Sequence, residues 1–553
     1  MRIRNRLGVS ALAISLVATP IVLAQVSARP LAQVEAWGVG WIGANEGALP
    51  ATFWDRAGAE TLAPLMAALH PKDLSPAARA ALRRILLSRS KGPADGDKLT
   101  PERLRLIEAI GETGHAIDLR RRYPATEWGK SGERQAAEFD LLAGNADTAC
   151  TTATGKPAND TAWMPLRAVC AAFSKEAGAS LIVEQVARSD ESLGVWLVAA
   201  LPAINSIEIS KPEGRFATPL EAAVSVAAKL PVPANAFATT TPDAIAAIAR
   251  NKAAIPEQRR AALRPALAAD RLTPAEAVEI LSLKSSEAPK PQARGAAPKP
   301  DYLLLAVASA ADKDAKPETK AAAIATALRA SETLADGRLA AIALGETIAS
   351  LPRNETTLAY AEPFARAALL AGNIKLATDW RRHLGSVATE KQDAWAAARL
   401  DLMLVLAGAS SEAPSDILDR MLEAAPYASP GSAPARPGAA DQQLSLRRIE
   451  TTRALFMAVG TGRDLTAAQR ATLAAQRSAG RGVSDAVIAR IASAARQDAD
   501  AEAALAILGQ LGPDVSALSF AGLADLLTQL REIGMIADAD AIALEAMQVW
   551  KAL

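Results

Sequence analysis

The sequence predicts an all-α fold, an irregular α-solenoid of antiparallel helix hairpins, and three observations predict it. The pentapeptide LLAGN occurs twice, at Leu141–Asn145 and Leu369–Asn373, each time with an alanine five residues past its glycine. Half of the 553 residues are apolar, alanine dominates that half, and aromatics are only 4%, a mixture that favours closely packed helices over strands. Ser-Pro and Thr-Pro pairs recur along the chain, each before an alanine- and leucine-rich stretch.

The amino terminus reads as an export signal. Arg2, Arg4 and Arg6 precede the apolar run Leu7 to Ala24, and Val22-Leu23-Ala24 offers a cleavage end before Gln25, the three parts of a secretory signal peptide over residues 1–24. Left uncleaved, the same run would be an amino-terminal anchor. Either way the body of the chain is expected in the periplasm. No second apolar segment of spanning length follows, so no membrane insertion is expected after cleavage.

Export decides how the two cysteines are read. Cys150 and Cys170 are too far apart for a C-x-x-C motif, and in an oxidising compartment such a pair is expected to form a disulfide. Closing a loop of this size stabilises by about 3 kcal/mol on the chain-entropy model.

Residues 25–60 form a distinct arm, with Trp37, Trp41, Phe53 and Trp54 set among glycines that disfavour helix. The arm could meet a partner through Trp37, Trp41 and Trp54, or pack on its own first helices. Exposed tryptophans are costly, which favours the second.

Helix starts follow at Ser75-Pro76, Thr100-Pro101, Thr218-Pro219, Thr241-Pro242 and Thr273-Pro274. The hydroxyl accepts a free backbone N–H, and proline in the first turn lacks only an N–H that has no helical partner. Thr218 with Glu221 and Thr273 with Glu276 complete capping boxes. Near the carboxy end, Leu523, Leu526, Leu527, Leu530 and Ile533 share one helical face, Gly534 stops the run, and Ala537, Ala541, Leu544 and Met547 begin a second stripe.

Two proline-rich stretches interrupt the pattern. Residues 285–301 are expected to link an amino-terminal array (61–284) to a carboxy-terminal one (302–553), and 424–443 to form a loop within the latter.

In LLAGN the leucines close a helix, glycine takes the left-handed backbone that ends it, and asparagine can cap the next helix. Gly114, Gly144, Gly178, Gly372 and Gly534 are read as such helix-turn glycines. The second copy continues as LLAGNIKLATDWRRHL, with Ala377 and Trp380 on the returning helix. That order resembles the middle of a tetratricopeptide repeat, where a glycine-centred turn is followed by a small residue and then an aromatic. Gly144 and Gly178 stand 34 residues apart, the period of that family. The family's W-x-x-L-G-x-x-Y signature is absent, so the resemblance concerns the hairpin fold. On the resemblance, Cys150 follows one elbow and Cys170 precedes the next, on neighbouring antiparallel helices.

No chemistry stands out. His70, His115 and His383 are scattered without ligand spacing. Gly129-Lys130-Ser131 lacks the earlier glycine of a phosphate loop, and Ser88-Arg89-Ser90-Lys91 lacks the K-T-G and S-D-N elements that accompany S-x-x-K. Arg120-Arg121-Arg122 and Arg381-Arg382 suit helix carboxy ends. With 61 basic and 60 acidic residues there is no field to attract nucleic acid. No catalytic, cofactor-binding or metal-binding residue is therefore expected. The expected role is a non-enzymatic periplasmic scaffold that binds another cell-envelope protein. One alternative is an accessory or divergent member of the superhelical, lytic transglycosylase-like peptidoglycan-processing proteins, and another is a small-molecule binding protein.

Overall fold

The structure, a computed structural model, describes residues 35–175, 179–205, 211–283, 301–386, 393–426, 439–476 and 480–548. The expected signal peptide, Gly178, the linker apart from Asp301, and the middle of the 424–443 loop lie outside the described residues. These residues form 26 α-helices and no strand, with only three isolated bridges such as Ile42 to Ser88.

The first nine helices are α1 (Ala59–Ala68), α2 (Pro76–Leu87), α3 (Thr100–Ala109), α4 (Thr113–Arg122), α5 (Gly132–Leu142), α6 (Ala146–Thr154), α7 (Met164–Phe173), α8 (Ala179–Ser189) and α9 (Glu191–Ile204). Each packs on the next from α2 onwards. The α5–α6 elbow is the first LLAGN. Gly144 takes φ 90°, its N–H reaches the Leu141 carbonyl at 3.1 Å, and the Asn145 N–H reaches the Asp140 carbonyl at 2.8 Å. This double bond satisfies two carbonyls that a helix end leaves free. Ala149 is fully buried where α6 returns against α5.

The turn between α3 and α4 differs from expectation. Gly114 is the second residue of α4, and Gly111 makes the elbow with φ 89°. The Gly111 and Glu112 N–H groups bond the Glu108 and Ile107 carbonyls, so the chain turns three residues earlier than the sequence suggests.

The middle of the chain holds α10 (Pro219–Ala227), α11 (Pro242–Arg250), α12 (Pro256–Ala268), α13 (Pro274–Leu281), α14 (Tyr302–Ala311), α15 (Pro317–Arg329) and α16 (Leu334–Ser350). The Thr218, Thr241 and Thr273 hydroxyls cap α10, α11 and α13, and Ser75 caps α2. Thr100 instead lies inside the first turn of α3, with Leu99 at the cap position and no side-chain bond. α16 packs on both α12 and α13, so helices on either side of 284–300 meet directly. The described residues from Ala36 onward form one compact unit.

The remaining helices are α17 (Ala361–Leu370), α18 (Ile374–Gly385), α19 (Ala394–Leu406), α20 (Pro414–Ala424), α21 (Ala439–Gly460), α22 (Ala467–Ala474), α23 (Asp485–Arg496), α24 (Asp500–Leu508), α25 (Phe520–Glu532) and α26 (Ile536–Ala546). The second LLAGN repeats the first elbow: Gly372 at φ 73°, Gly372 N–H to the Leu369 carbonyl at 3.0 Å, Asn373 N–H to the Ala368 carbonyl at 2.8 Å. Here the asparagine side chain also caps, accepting from Leu376 N at 3.0 Å. Gly534 makes the same elbow between α25 and α26. The buried face of α26 runs through Ala539, Ile542, Ala543 and Ala546; of the expected stripe, Met547 just beyond the helix is buried, while Ala537, Ala541 and Leu544 line a cavity.

The array closes on itself. α24 packs on α1, and α26 packs on α2. Main-chain bonds join the two ends, from Ser75 N–H to the Gly512 carbonyl at 3.0 Å and from Ala501 N–H to the Phe53 carbonyl at 3.2 Å. Arg84 of α2 pairs with Asp538 of α26. The core is therefore one continuous cluster running from the arm to Met547.

Candidate functional sites

Cys150 on α6 and Cys170 on α7 are joined in a disulfide, with Cα atoms 5.5 Å apart. α6 and α7 pack side by side, so the bridge ties consecutive helices within the array.

The aromatic arm packs on its own chain. Trp37 and Trp54 are buried, their ring centroids 4.7 Å apart and edge to face. Both rings are spent on the core. Trp37 Nε1 donates to the Gly96 carbonyl at 2.8 Å. The fastening is Arg103, wholly enclosed, whose guanidinium donates to the Ala36, Val39 and Leu86 carbonyls at 2.8–3.1 Å and lies 4.8 Å from the Trp37 ring centroid. Burial pushes the Arg103 pKa down to about 10, consistent with a cation paired only with carbonyl dipoles. Trp41 is half-buried, donates to Asp118 at 3.1 Å and lies against His115, ring centroids 4.7 Å apart.

Other residues singled out by sequence take structural roles. Ser88 is buried, donating to the Arg84 carbonyl and accepting from Leu49 N. Arg120 pairs with Glu108, Arg122 with Asp118, Arg381 with Asp401 and Arg382 with Asp379. His115 sits 3.0 Å from Glu112, which also holds Arg83 at 2.6 Å and Arg271 at 2.9 Å. Burial would raise the Glu112 carboxyl, but hydrogen bonds from His115, Arg83 and Arg271 hold it well below the usual range. Glu112 thus joins α2, the α3–α4 elbow and the loop after α12.

Cavities open on the described surface. The first, of about 670 Å³, lies between the elbows at Gly372 and Gly408 and the α26 face bearing Asp540 and Leu544. The second, of about 540 Å³, is walled by Glu362, Arg366, Trp395 and Arg447. Behind it Arg399 is fully buried between Glu362 (3.5 Å) and Glu450 (3.6 Å) and donates to the Met547 carbonyl at 2.5 Å. Burial and the neighbouring Arg366 push Arg399 down to about 9. The third, of about 430 Å³, lies between α2, α3, α11 and α12 and carries Lys72, Arg79 and Phe237.

Helix α9 presents apolar side chains to solvent. α9 reads ESLGVWLVAALPAI. Trp196, Leu197, Ala200 and Leu201 are buried, yet Val195 and Val198 are 62% and 59% exposed, and Leu181 on neighbouring α8 is 66% exposed. A helix apolar around its whole circumference is ordinarily buried on all sides. Sequence reasoning missed this surface, although the unbroken run Gly194–Leu201 signalled it. The third cavity had no such signal, because its walls come from stretches more than a hundred residues apart.

No family model, curated protein or solved structure matches the chain.

Proposed function

We propose that this protein is a non-enzymatic, exported helical-repeat scaffold of the periplasm that binds another protein of the cell envelope. The observation that carries this is the uncovered face of α9, where Val195 and Val198 stand one helical turn apart with Leu181 on the adjoining helix. Exposed apolar groups on two packed helices suit a protein partner, whose apolar side chains would remove them from water. The disulfide between α6 and α7 is compatible with an oxidising compartment. The double-bonded glycine elbows support the likeness to tetratricopeptide hairpins, which bind partners through surfaces of stacked helices.

A photo-crosslinking residue at Val198 in intact cells tests this. The expected result is one envelope protein captured from this position and not from exposed Lys313 on the far stretch before α15. With the crosslinker kept at 198, Leu181→Asp with Val195→Asp, two exposed positions of the same face, abolishes the adduct while leaving the melting temperature unchanged. No adduct at Val198, or the same adduct from both positions, overturns the proposal, as does clearing of cell-wall glycan by the purified protein.

A further inference from the structure

We propose that the 430 Å³ cavity between α2, α3, α11 and α12 binds a small organic carboxylate with an apolar body. Two cations face it without a carboxylate of their own. The Arg79 guanidinium donates only to main-chain carbonyls, those of Pro71 at 3.1 Å, Leu74 at 3.0 Å and Ala268. Lys72 Nζ donates to the Ala238 carbonyl at 3.1 Å. Among the described residues no carboxylate oxygen lies within 4.0 Å of either. Three of the five guanidinium N–H groups are thus used, and two remain.

The other charges at the cavity are already matched. Arg105 is bound by Glu102 at 2.6 Å, and Glu108 is taken by Arg120 and by Gln135 at 2.8 Å. The acids whose charge acts on Arg79, Asp270 and Glu545, have contacts of their own: Asp270 pairs with Arg338 at 2.5 Å, and Glu545 accepts from Ala77 N–H. Burial, the largest influence, lowers the Arg79 pKa, as expected of a cation lacking a close counter-ion. A bound anion supplies that counter-ion.

The remaining walls choose the kind of anion. Phe237, Pro242, Ile245 and Pro265 line the same space. A cavity of this size with mainly apolar walls and a few convergent polar groups suits a small organic molecule, whereas a compact phosphate would leave those walls facing water. A ligand places its carboxylate at Lys72 and Arg79 and its hydrocarbon against Phe237 and Ile245. This site is separate from the α9 face and does not depend on the scaffold role.

Isothermal titration of the whole protein with N-acetylleucine, its uncharged amide and inorganic phosphate tests the proposal. The acid is expected to bind, with the amide and phosphate each weaker by about tenfold or more, because a charge-assisted contact is lost in one and the apolar contact in the other. Lys72→Met removes only an exposed side chain and is expected to weaken the acid by about tenfold with an unchanged melting temperature. Phe237→Ala is expected to weaken the acid but not phosphate. Equal binding of acid and amide, phosphate binding as tight as the acid, no heat up to about 10 mM acid, or full affinity in Lys72→Met overturns it.

Discussion

Glu545 accepts the Ala77 backbone N–H at 2.7 Å, so a carboxyl on α26 caps the first turn of α2 from 468 residues away. Ser75 at the α2 cap and Arg79 on α2 also face it, as does Arg338 from α16. The bond closes the array, yet it places an acid in a site almost without water. Burial is the largest influence and pushes the Glu545 pKa from 4.5 up to about 7, although Ser75, Ala77, Arg338 and Arg79 each pull it down.

The sign of the resulting pH dependence follows. Between about pH 4.5 and 7 the folded chain holds a proton that the unfolded chain releases, so this residue's contribution is full below 4.5 and is lost as pH rises through 7. Glu545→Gln keeps the acceptor for Ala77 and cannot ionise. It is expected to match the parent at about pH 4 and to exceed it at about pH 8 by up to about 3 kcal/mol. Urea unfolding at the two pH values measures this; identical stability at pH 8 would show that ionised Glu545 costs nothing.

The elbows were legible in the sequence because their cause is local. A glycine with φ near 90° and two main-chain bonds needs nothing beyond five or six residues, and Gly144, Gly372 and Gly534 all obey that rule. Gly114 misled because Gly111 lies three residues away and either could end a helix; the choice fell on the one whose carbonyl partners, Glu108 and Ile107, remain helical. Lys229, Asp270 and Asp498 make the same turn at φ 53–59° without glycine, which no glycine-based reading could find. The closure of α26 on α2 was hidden for a different reason. It depends on the summed angles of the intervening hairpins, and no single residue encodes a sum. The candidate sites follow the same division: the α9 face could be read from one run of letters, and the Lys72–Arg79 cavity could not.

Arg103 gives a second prediction. Its four hydrogen bonds to carbonyls hold the arm's Ala36 and Val39 against α2 and α3. Arg103→Met keeps much of the apolar stem but leaves the buried Val39 and Leu86 carbonyls without a donor, each costing about 1–3 kcal/mol, and the Ala36 carbonyl with only the long bond from Val39 N–H at 3.4 Å. The expected total is a loss of about 3–5 kcal/mol, with the arm released first. Limited proteolysis should then cut between Gly38 and Thr52 before any helix is cleaved. An arm that stays protected in the variant would show that Trp37 and Trp54 alone suffice.

Two glycines make a matched pair of opposite sign. At Gly372 an added Cβ meets nothing within 4 Å, but the backbone sits at φ 73°, where an L side chain costs about 1–2 kcal/mol. At Gly345, in the interior of α16, the added Cβ also meets nothing and the backbone is helical, so alanine gains about 0.5–1 kcal/mol by its better helix propensity. Gly372→Ala is therefore expected to lower the thermal midpoint and Gly345→Ala to raise it. Thermal scans of the two single variants and the double decide the matter, the double falling near the sum because the sites are independent. Equal shifts in one direction would mean that backbone handedness is not what the elbow requires.

The disulfide's effect separates entropy from packing. Cys150 and Cys170 enclose a sequence separation of 20 residues, and the loop they close restricts the unfolded chain more than it adds contacts to the folded one, which is worth about 3 kcal/mol. Cys170 is buried among α7 side chains, while Cys150 is partly open to solvent. Replacing both by serine therefore adds a polar hydroxyl to a buried position as well as opening the loop, whereas replacing both by alanine only opens the loop and leaves a small void. The alanine pair is expected to lose about 3 kcal/mol and the serine pair about 1 kcal/mol more. Reduction of the parent should reproduce the alanine value within about 1 kcal/mol, since two thiols pack much as they did when joined. A loss confined to the serine pair would place the bridge's contribution in local packing at Cys170 and not in the constraint on the unfolded chain.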